Sequence, residues 1–307
     1  MKIAILGAGA MGSFFGGVLA ESAHAVTLLD IDADHLDAIR RDGLRLVNGS
    51  QDRRITNLAV SQPELFCFTP DLLVVFTKSL HTRTALASVK HVIGPETFVL
   101  TLQNGLGNVE AISEFVRPER LLIGVTTWPA DKLGAAHVAS HGEGKIRMMS
   151  ADGVRRPLGD AVAQALDAAG LNCTVDDNVW SAIWEKVAFN AALNSLCAVS
   201  GCTVDQLGRL PDGAALALKI VGEVLAVARA KGIPVDPQRG ARTVLHAIET
   251  HHGHKPSMLQ DVLARRRTEI ESINGAVVTA ARELDVPVVH TETLLQLVRL
   301  VEARNTE

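Results

Sequence analysis

Short apolar runs alternate with helical stretches through the first half of the chain. Short β-like segments at Lys2–Leu6, Val26–Asp30, Leu44–Val47, Ile55–Val60, Leu72–Thr77, Phe98–Gln103 and Leu121–Thr127 predict strands. Several are continuous apolar runs, as in a parallel sheet buried on both faces. A second β-rich patch is expected at Ala136–His141 and Lys145–Met149. A helix at Leu158–Ala168 and a strand at Asn172–Val175 close this half. Past about Asp177 the apolar period becomes helical, with segments expected near 179–198, 203–208, 213–231, 237–250, 257–284 and 291–303. Gly201, Pro211, Gly232-Ile233-Pro234, Gly253, Pro256 and Pro287 punctuate them. The pattern predicts an α/β domain over 1–175 and an all-α domain over 176–307.

The first strand runs directly into Gly7-Ala8-Gly9-Ala10-Met11-Gly12, a G-x-G-x-x-G turn, and a small-residue helix follows. The second strand ends on Asp30, about twenty residues past the glycines. Strand, glycine turn, helix, strand and acid form the dinucleotide-binding context of a Rossmann-like domain. Gly7 allows the tight turn, Gly9 admits a pyrophosphate and Gly12 lets the helix pack on the strand. Asp30 is expected to accept the adenosine ribose hydroxyls and to repel a 2′-phosphate. Ile31 and Asp32 follow it, with no adjacent lysine or arginine, so NAD is expected over NADP. A turn aspartate facing solvent is the plainer alternative for Asp30.

Composition narrows the function classes. The 307 residues suit two domains. A net charge of −4 recruits neither nucleic acid nor an anionic membrane. No run approaches the ~20 apolar residues that span a bilayer. The first strand begins at Met1 without a charged leader, so a cytoplasmic protein is expected. Cys67, Cys173, Cys197 and Cys202 lack C-x-x-C spacing and are expected to be buried thiols. The chain contains no tyrosine, which excludes reductases that protonate through a Tyr-x-x-x-Lys pair. His251, His252 and His254 flank a polar Gly253 loop without a carboxylate cluster, and no metal is expected.

The second half carries chemistry in two places. Lys186, Asn190 and Asn194 recur at four-residue spacing in an otherwise apolar segment and share one helix face. They are either a snorkelling lysine with two interhelical amides or an ammonium and two amides facing a polar ligand. The other place spans Ser257 to Gly275. Ser257 and Gln260 could form a capping box, Glu269 could pair with Arg265, and Arg265–Arg267 suit a solvated helix. In the first domain Lys78 and the Gln103-Asn104-Gly105 turn follow strands, at the sheet edge where ligands bind.

Together these residues resemble the ketopantoate reductases (2-dehydropantoate 2-reductases) and related 2-hydroxyacid dehydrogenases. The resemblance is carried by Gly7–Gly12, Thr77-Lys78, Gln103-Asn104-Gly105, Trp184-Glu185-Lys186 with Asn190 and Asn194, Ser257–Asp261, and Arg267–Ile270 with Ile273-Asn274-Gly275. It implies a Rossmann-like domain joined to a 6-phosphogluconate-dehydrogenase-like helical domain that binds substrate in the cleft and forms a dimer. It further implies that Lys186 is the general acid and that Glu269 binds the hydroxyl end of the substrate. Asn190, Asn194 and Ser257 would hold the keto acid, and Lys78 and Asn104 would lie near the nicotinamide ribose. An ammonium at hydrogen-bond distance would stabilise the oxygen on which hydride attack builds charge, and would supply its proton. The implied reaction is reduction of 2-dehydropantoate to pantoate. Typical members use NADP and carry an arginine where Ile31 stands, so the family admits NADP while Asp30 and Ile31 favour NAD. The expected partners are a 2-keto acid and a second copy of the chain. Two alternatives are an NAD-dependent D-2-hydroxyacid dehydrogenase for another branched or aromatic 2-keto acid, and a non-catalytic dinucleotide sensor. A sensor would need only the first domain's motifs.

Overall fold

The strands of the first half are β1 (Lys2–Leu6), β2 (Ala25–Leu29), β3 (Leu44–Asn48), β4 (Gln51–Ile55), β5 (Ala59–Ser61), β6 (Leu72–Val75), β7 (Phe98–Thr101), β8 (Leu121–Thr126), β9 (Asp131–Gly134), β10 (His137–Ser140), β11 (Ile146–Ser150) and β12 (Cys173–Val175), of which β4 and β9 are polar and were not expected. This computed structural model describes the backbone of residues 1–306 and the side chains of residues 1–304. Glu307, the last residue of the expected helical domain, lies outside the described residues. One compact unit comprises Met1–Gln103 and Asn108–Val179, and the other Asn104–Gly107 and Trp180–Glu307.

Eight strands of the first unit form a sheet in the order β12-β11-β8-β7-β6-β1-β2-β5. From β8 to β5 every neighbour is parallel, whereas β11 runs antiparallel to β8. The central strands β6 and β7 are buried at every position, as strands covered on both faces require. Flanking them are α1 (Ala10–Ala20), α2 (Ala33–Asp42), α3 (Thr82–Val89), α4 (Asn108–Ser113) and α5 (Pro157–Leu166). A smaller sheet, β4-β3-β10-β9, also packs on α1, with Gly16 facing Leu28 of β2 and Gly17 facing Leu46 of β3. Lying between two sheets, α1 buries Phe14 and Phe15 completely. Truncating either ring to alanine would cost about 3–5 kcal/mol.

Two sequence expectations are corrected in this unit. The run at Ile55–Val60 is not one strand: Ile55 ends β4, and β5 begins at Ala59 in the other sheet. The second β-rich patch also divides, with β10 joining the small sheet and β11 the large one. The thiols divide as well. Cys173 and Cys197 are buried, and burial pushes both up to about 12. Cys67 is exposed and Cys202 only half-buried, contrary to the expectation that all four are buried.

The second unit consists of α6 (Val179–Ser200), α7 (Val204–Arg209), α8 (Gly213–Ala230), α9 (Pro237–Thr250), α10 (Ser257–Leu263), α11 (Ala276–Glu283) and α12 (Val289–Thr306), with the Asn104–Gly107 loop. Ala188, Ala191, Ala192 and Leu193 of α6 are fully buried in its core. The expected single helix over 257–284 is broken. After α10 the chain turns at Arg265, whose φ is +51°. Arg266 N–H donates to the Asp261 carbonyl at 2.8 Å, and Arg265 N–H to that of Val262 at 3.1 Å. These are the two bonds of a Schellman cap, made with arginine in the place usually held by glycine. Arg265–Arg267 therefore lie on an exposed connection rather than a helix. Helical structure resumes as a π turn over Glu271–Gly275. Among the described residues no helix is long and apolar enough to cross a membrane.

Candidate active site

Sheet register builds the first half of the site. Leu6, the last residue of β1, pairs with Leu29 of β2 and Val75 of β6, and Val75 pairs with Thr101 of β7. The next residues, Gly7, Asp30, Phe76 and Leu102, therefore leave the sheet along one edge. β1 lies where the connections diverge to either side, the crevice that ligands occupy in open α/β sheets. Gly7 turns with φ +100°, and a Cβ there would meet the Thr77 backbone nitrogen at 2.7 Å. A Cβ on Gly12 would lie 1.8 Å from the Gly7 carbonyl oxygen. Both positions must be glycine for the loop to close. Around Gly9, by contrast, a Cβ would meet nothing within 4 Å. The loop thus keeps an open side next to the first turn of α1, which holds no acidic residue. Helix geometry leaves the first N–H groups there without intrahelical acceptors, a setting that fits a dinucleotide pyrophosphate.

Ala8 is fixed at both of its backbone polar groups. Its N–H donates to Asp30 Oδ2 at 2.5 Å, and its carbonyl accepts from Ser13 Oγ at 2.8 Å. Ser13 Oγ in turn lies 3.0 Å from His35 Nε2, and His35 Nδ1 accepts the Ala136 N–H at 3.1 Å. With Nδ1 accepting, the proton of a neutral imidazole resides on Nε2 and faces Ser13. Burial, reinforced by the charge of Lys132, holds the His35 pKa below its usual value.

Asp30 also accepts the N–H groups of Ile31 at 2.8 Å and Asp32 at 3.0 Å through Oδ1. Three backbone donors thus orient this carboxylate, two of them from the turn that Asp30 itself begins. Asp32 caps α2 by accepting the His35 N–H at 3.1 Å. Its other oxygen pairs with Lys132 Nζ of β9 at 2.8 Å, and that bond pulls the Asp32 pKa down. At the next strand end, Gln103 Nε2 donates to the Thr77 carbonyl at 2.6 Å and to Thr82 Oγ1 at 2.9 Å. The residue before Lys78 is thereby tied to the end of β7.

The helical unit holds the second half. Lys186, Asn190 and Asn194 follow one face of α6, and both amides are only 6% exposed. Burial pulls the Lys186 ammonium from 10.5 down to about 8, and the carboxylate of Glu269 opposes that shift. Glu269 lies between the Schellman turn and the π turn, off any helix, so the expected helical pairing with Arg265 does not describe it. Neighbouring Glu185 is turned to Arg239, with Nε 3.0 Å from its Oε2. The π turn is anchored to α6: Asn274 is completely buried, accepts Ser195 Oγ at 2.8 Å and donates to the Ala191 carbonyl at 3.3 Å. The loop carrying Asn104 is fixed to the same turn, because Leu106 N–H donates to the Ser272 carbonyl at 2.7 Å. Gly105 there has φ +81°, and a Cβ would stand 2.4 Å from that carbonyl oxygen.

Ser257 is exposed and opens α10 behind Pro256. The expected capping box with Gln260 is absent, because Pro256 is the N-cap and has no N–H to offer. Gln260 instead donates to the Lys255 carbonyl at 2.9 Å. A capping box does form at α7, between Thr203 and Gln206.

The sequence matches the models for ketopantoate reductase PanE/ApbA over residues 3–153 and for its C-terminal domain over residues 178–302. The chain belongs to the ketopantoate reductase family. It is 34% identical over 304 residues to a 2-dehydropantoate 2-reductase of Streptococcus pyogenes serotype M1, covering 99% of this chain and 98% of that protein. A 2-dehydropantoate 2-reductase of Halobacterium salinarum is 35% identical, with 98% and 99% covered. Among solved structures, D-mandelate dehydrogenase with NADH and anilino(oxo)acetate matches with a TM-score of 0.96 at 31% identity, covering both chains fully. A PanE/ApbA family ketopantoate reductase from Ralstonia eutropha gives 0.92 at 31% identity, again over both full chains.

In this member of the ketopantoate reductase family, each unit gathers its own set of expected residues. Gly7–Gly12 and Asp30 meet at one corner of the first unit. Lys186, Asn190 and Asn194 share a face in the second, and Glu269 acts electrostatically on Lys186. Sequence reasoning missed Lys132, Ser13, His35 and Ser195. Lys132 stands a hundred residues from its partner Asp32, and no local pattern links them.

Proposed function

We propose that this chain reduces a branched 2-keto acid to the corresponding 2-hydroxy acid, with ketopantoate as substrate and NADH as reductant. The observation that carries this reading is Lys186, an ammonium drawn down to about 8 by burial, on a helix face with two nearly buried amides. The cofactor, when bound, supplies the hydride. Gly7, Ala8, Gly9, Ala10, Met11, Gly12, Asp30, Lys78 and Asn104 are the residues that would hold it. As the carbonyl carbon gains hydride, its oxygen gains the carbonyl π pair. The Lys186 ammonium stabilises that oxygen and gives it a proton. Asn190, Asn194 and Ser257 hold the keto acid, and Glu269 accepts a hydrogen bond from the hydroxyl end. NADH rather than NADPH is supported by Asp30, whose charge opposes a 2′-phosphate, and by the absence of a cation at Ile31. The unit beginning at Met1 is the dinucleotide binder, and the helical unit binds substrate and forms a cytoplasmic homodimer. That assembly is supported by the apolar side chains exposed along α12, Val289, Leu297 and Leu300.

A second reading draws support from the D-mandelate dehydrogenase likeness: the same chemistry on an aromatic 2-keto acid. Steady-state kcat/KM for ketopantoate, 2-ketoisocaproate and benzoylformate, each with NADH and NADPH, separates the two. Highest kcat/KM with ketopantoate supports the first, and with benzoylformate the second. No turnover of any 2-keto acid would remove both.

A further inference from the structure

We propose that Lys132 is the cation facing the 2′ position of the adenosine ribose, and that Asp32 restrains it from attracting a 2′-phosphate. This inference rests on the NAD reading of the same corner. Dinucleotide folds hold the adenosine ribose at the carboxyl end of the second strand, through an acid or, for NADP, a nearby cation. In this chain the acid is Asp30, and the segment after it provides no cation. The small sheet does: β9 brings Lys132 to within 2.8 Å of Asp32 Oδ2. Asp32 is in turn joined to Asp30, its N–H donating to Asp30 Oδ1 at 3.0 Å. Ile31, between the two acids, is 82% exposed and does not cover the corner.

Bonds join two carboxylates and one ammonium at this corner, those of Asp30, Asp32 and Lys132. Asp30 uses backbone donors only, so its charge is not neutralised by a side chain. Asp32 divides its oxygens between the His35 N–H and Lys132. An ammonium has three donors, and Asp32 engages one of them. The Lys132 side chain keeps 30% of its accessibility, enough to meet a ligand oxygen. In the wild-type chain Asp32 offsets the ammonium and Asp30 sets the sign of the corner. Without the Asp32 charge, the corner becomes one acid and one uncompensated cation, and the penalty on a 2′-phosphate falls.

The test is binding rather than turnover. Isothermal titration of full-length protein with 2′,5′-ADP and with 5′-AMP isolates the 2′-phosphate, since both carry the same adenosine 5′-phosphate. Asp32→Asn removes the charge while keeping an oxygen that can cap α2. At the few-ångström separations of this corner, losing one unit charge corresponds to about a three- to tenfold change in the ratio of the two affinities. The expected result is a gain of that size for 2′,5′-ADP in Asp32→Asn, lost again in Asp32→Asn/Lys132→Gln. An unchanged ratio in Asp32→Asn, or a gain that survives the loss of Lys132, overturns the proposal. The NAD reading fails separately, if wild-type protein binds NADPH more tightly than NADH. Thermal melts of each variant establish that it is folded.

Discussion

Replacing Lys186 with methionine should make the protein more stable and nearly inactive. Burial moves this ammonium from 10.5 to about 8 in the folded state, even with Glu269 acting in its favour. At 1.36 kcal/mol per pKa, the folded protein bears a strain of up to about 3 kcal/mol from keeping the charge. The sign follows from linkage. The folded pKa lies below the unfolded one, so at pH 7 both states carry the proton and the penalty is present in full. Between pH 8 and 10.5 the folded protein sheds its proton first, and the penalty fades. Lys186→Met should therefore gain about 2–3 kcal/mol in urea unfolding at pH 7, and the gain should shrink toward zero by about pH 10. In the same variant kcat should fall by about two orders of magnitude or more, through loss of the proton donor and of oxyanion stabilisation. Urea titrations at pH 7, 8.5 and 10, with stopped-flow reduction assays, measure both. A variant of unchanged or lower stability at pH 7, or a gain independent of pH, would refute the placement of a strained charge on α6.

Other outcomes follow from the same geometry. With Lys186 as the acid, kcat/KM for keto acid reduction should decline as pH rises through about 8. Glu269→Gln should move that decline to lower pH, and a flat profile from pH 7 to 10 would remove Lys186 from proton transfer. Gly9→Ala should leave the melting temperature nearly unchanged while weakening NADH binding, because the added methyl enters only open space beside the loop. Gly12→Ala should destabilise the fold itself, since its methyl overlaps the Gly7 carbonyl; equal melting temperatures for the two would contradict this division. Asn274→Ala should cost about 1–3 kcal/mol in urea unfolding, because the buried Ser195 hydroxyl loses its acceptor. A loss under about 0.5 kcal/mol would mean that another group satisfies Ser195.

The sheet-containing half of the fold was legible wherever a strand is apolar throughout. β1, β6, β7 and β8 lie within the expected runs because parallel strands buried on two faces leave a continuous signal. β4 left none: Gln51-Asp52-Arg53-Arg54 is polar and lies at the edge of the small sheet. Its cue was the Gly49-Ser50 dipeptide, the two-residue hairpin loop that joins β3 to β4, with Gly49 at φ +59°. The break after α10 was hidden for the opposite reason. A Schellman turn is usually marked by glycine, and Arg265 occupies that position. The four-residue spacing of Lys186, Asn190 and Asn194 was visible because a helix repeats locally. Lys132, Ser13 and His35 were not, since they meet through packing of α1 against two sheets, and no sequence period encodes that meeting.

The four residues Asn104–Gly107 carry a consequence for protein engineering. They are bonded into the helical unit through Ser272, although the chain on either side belongs to the sheet unit. The polypeptide therefore changes units three times: after Gln103, after Gly107 and after Val179. A chimera made by a single crossover at Val179 would join a donor's helices to a recipient's tetrapeptide. Leu106 would then have to find its carbonyl acceptor in a foreign π turn. Recombination that respects the fold needs a second, four-residue graft, and the same holds for any excised fragment that begins at Trp180.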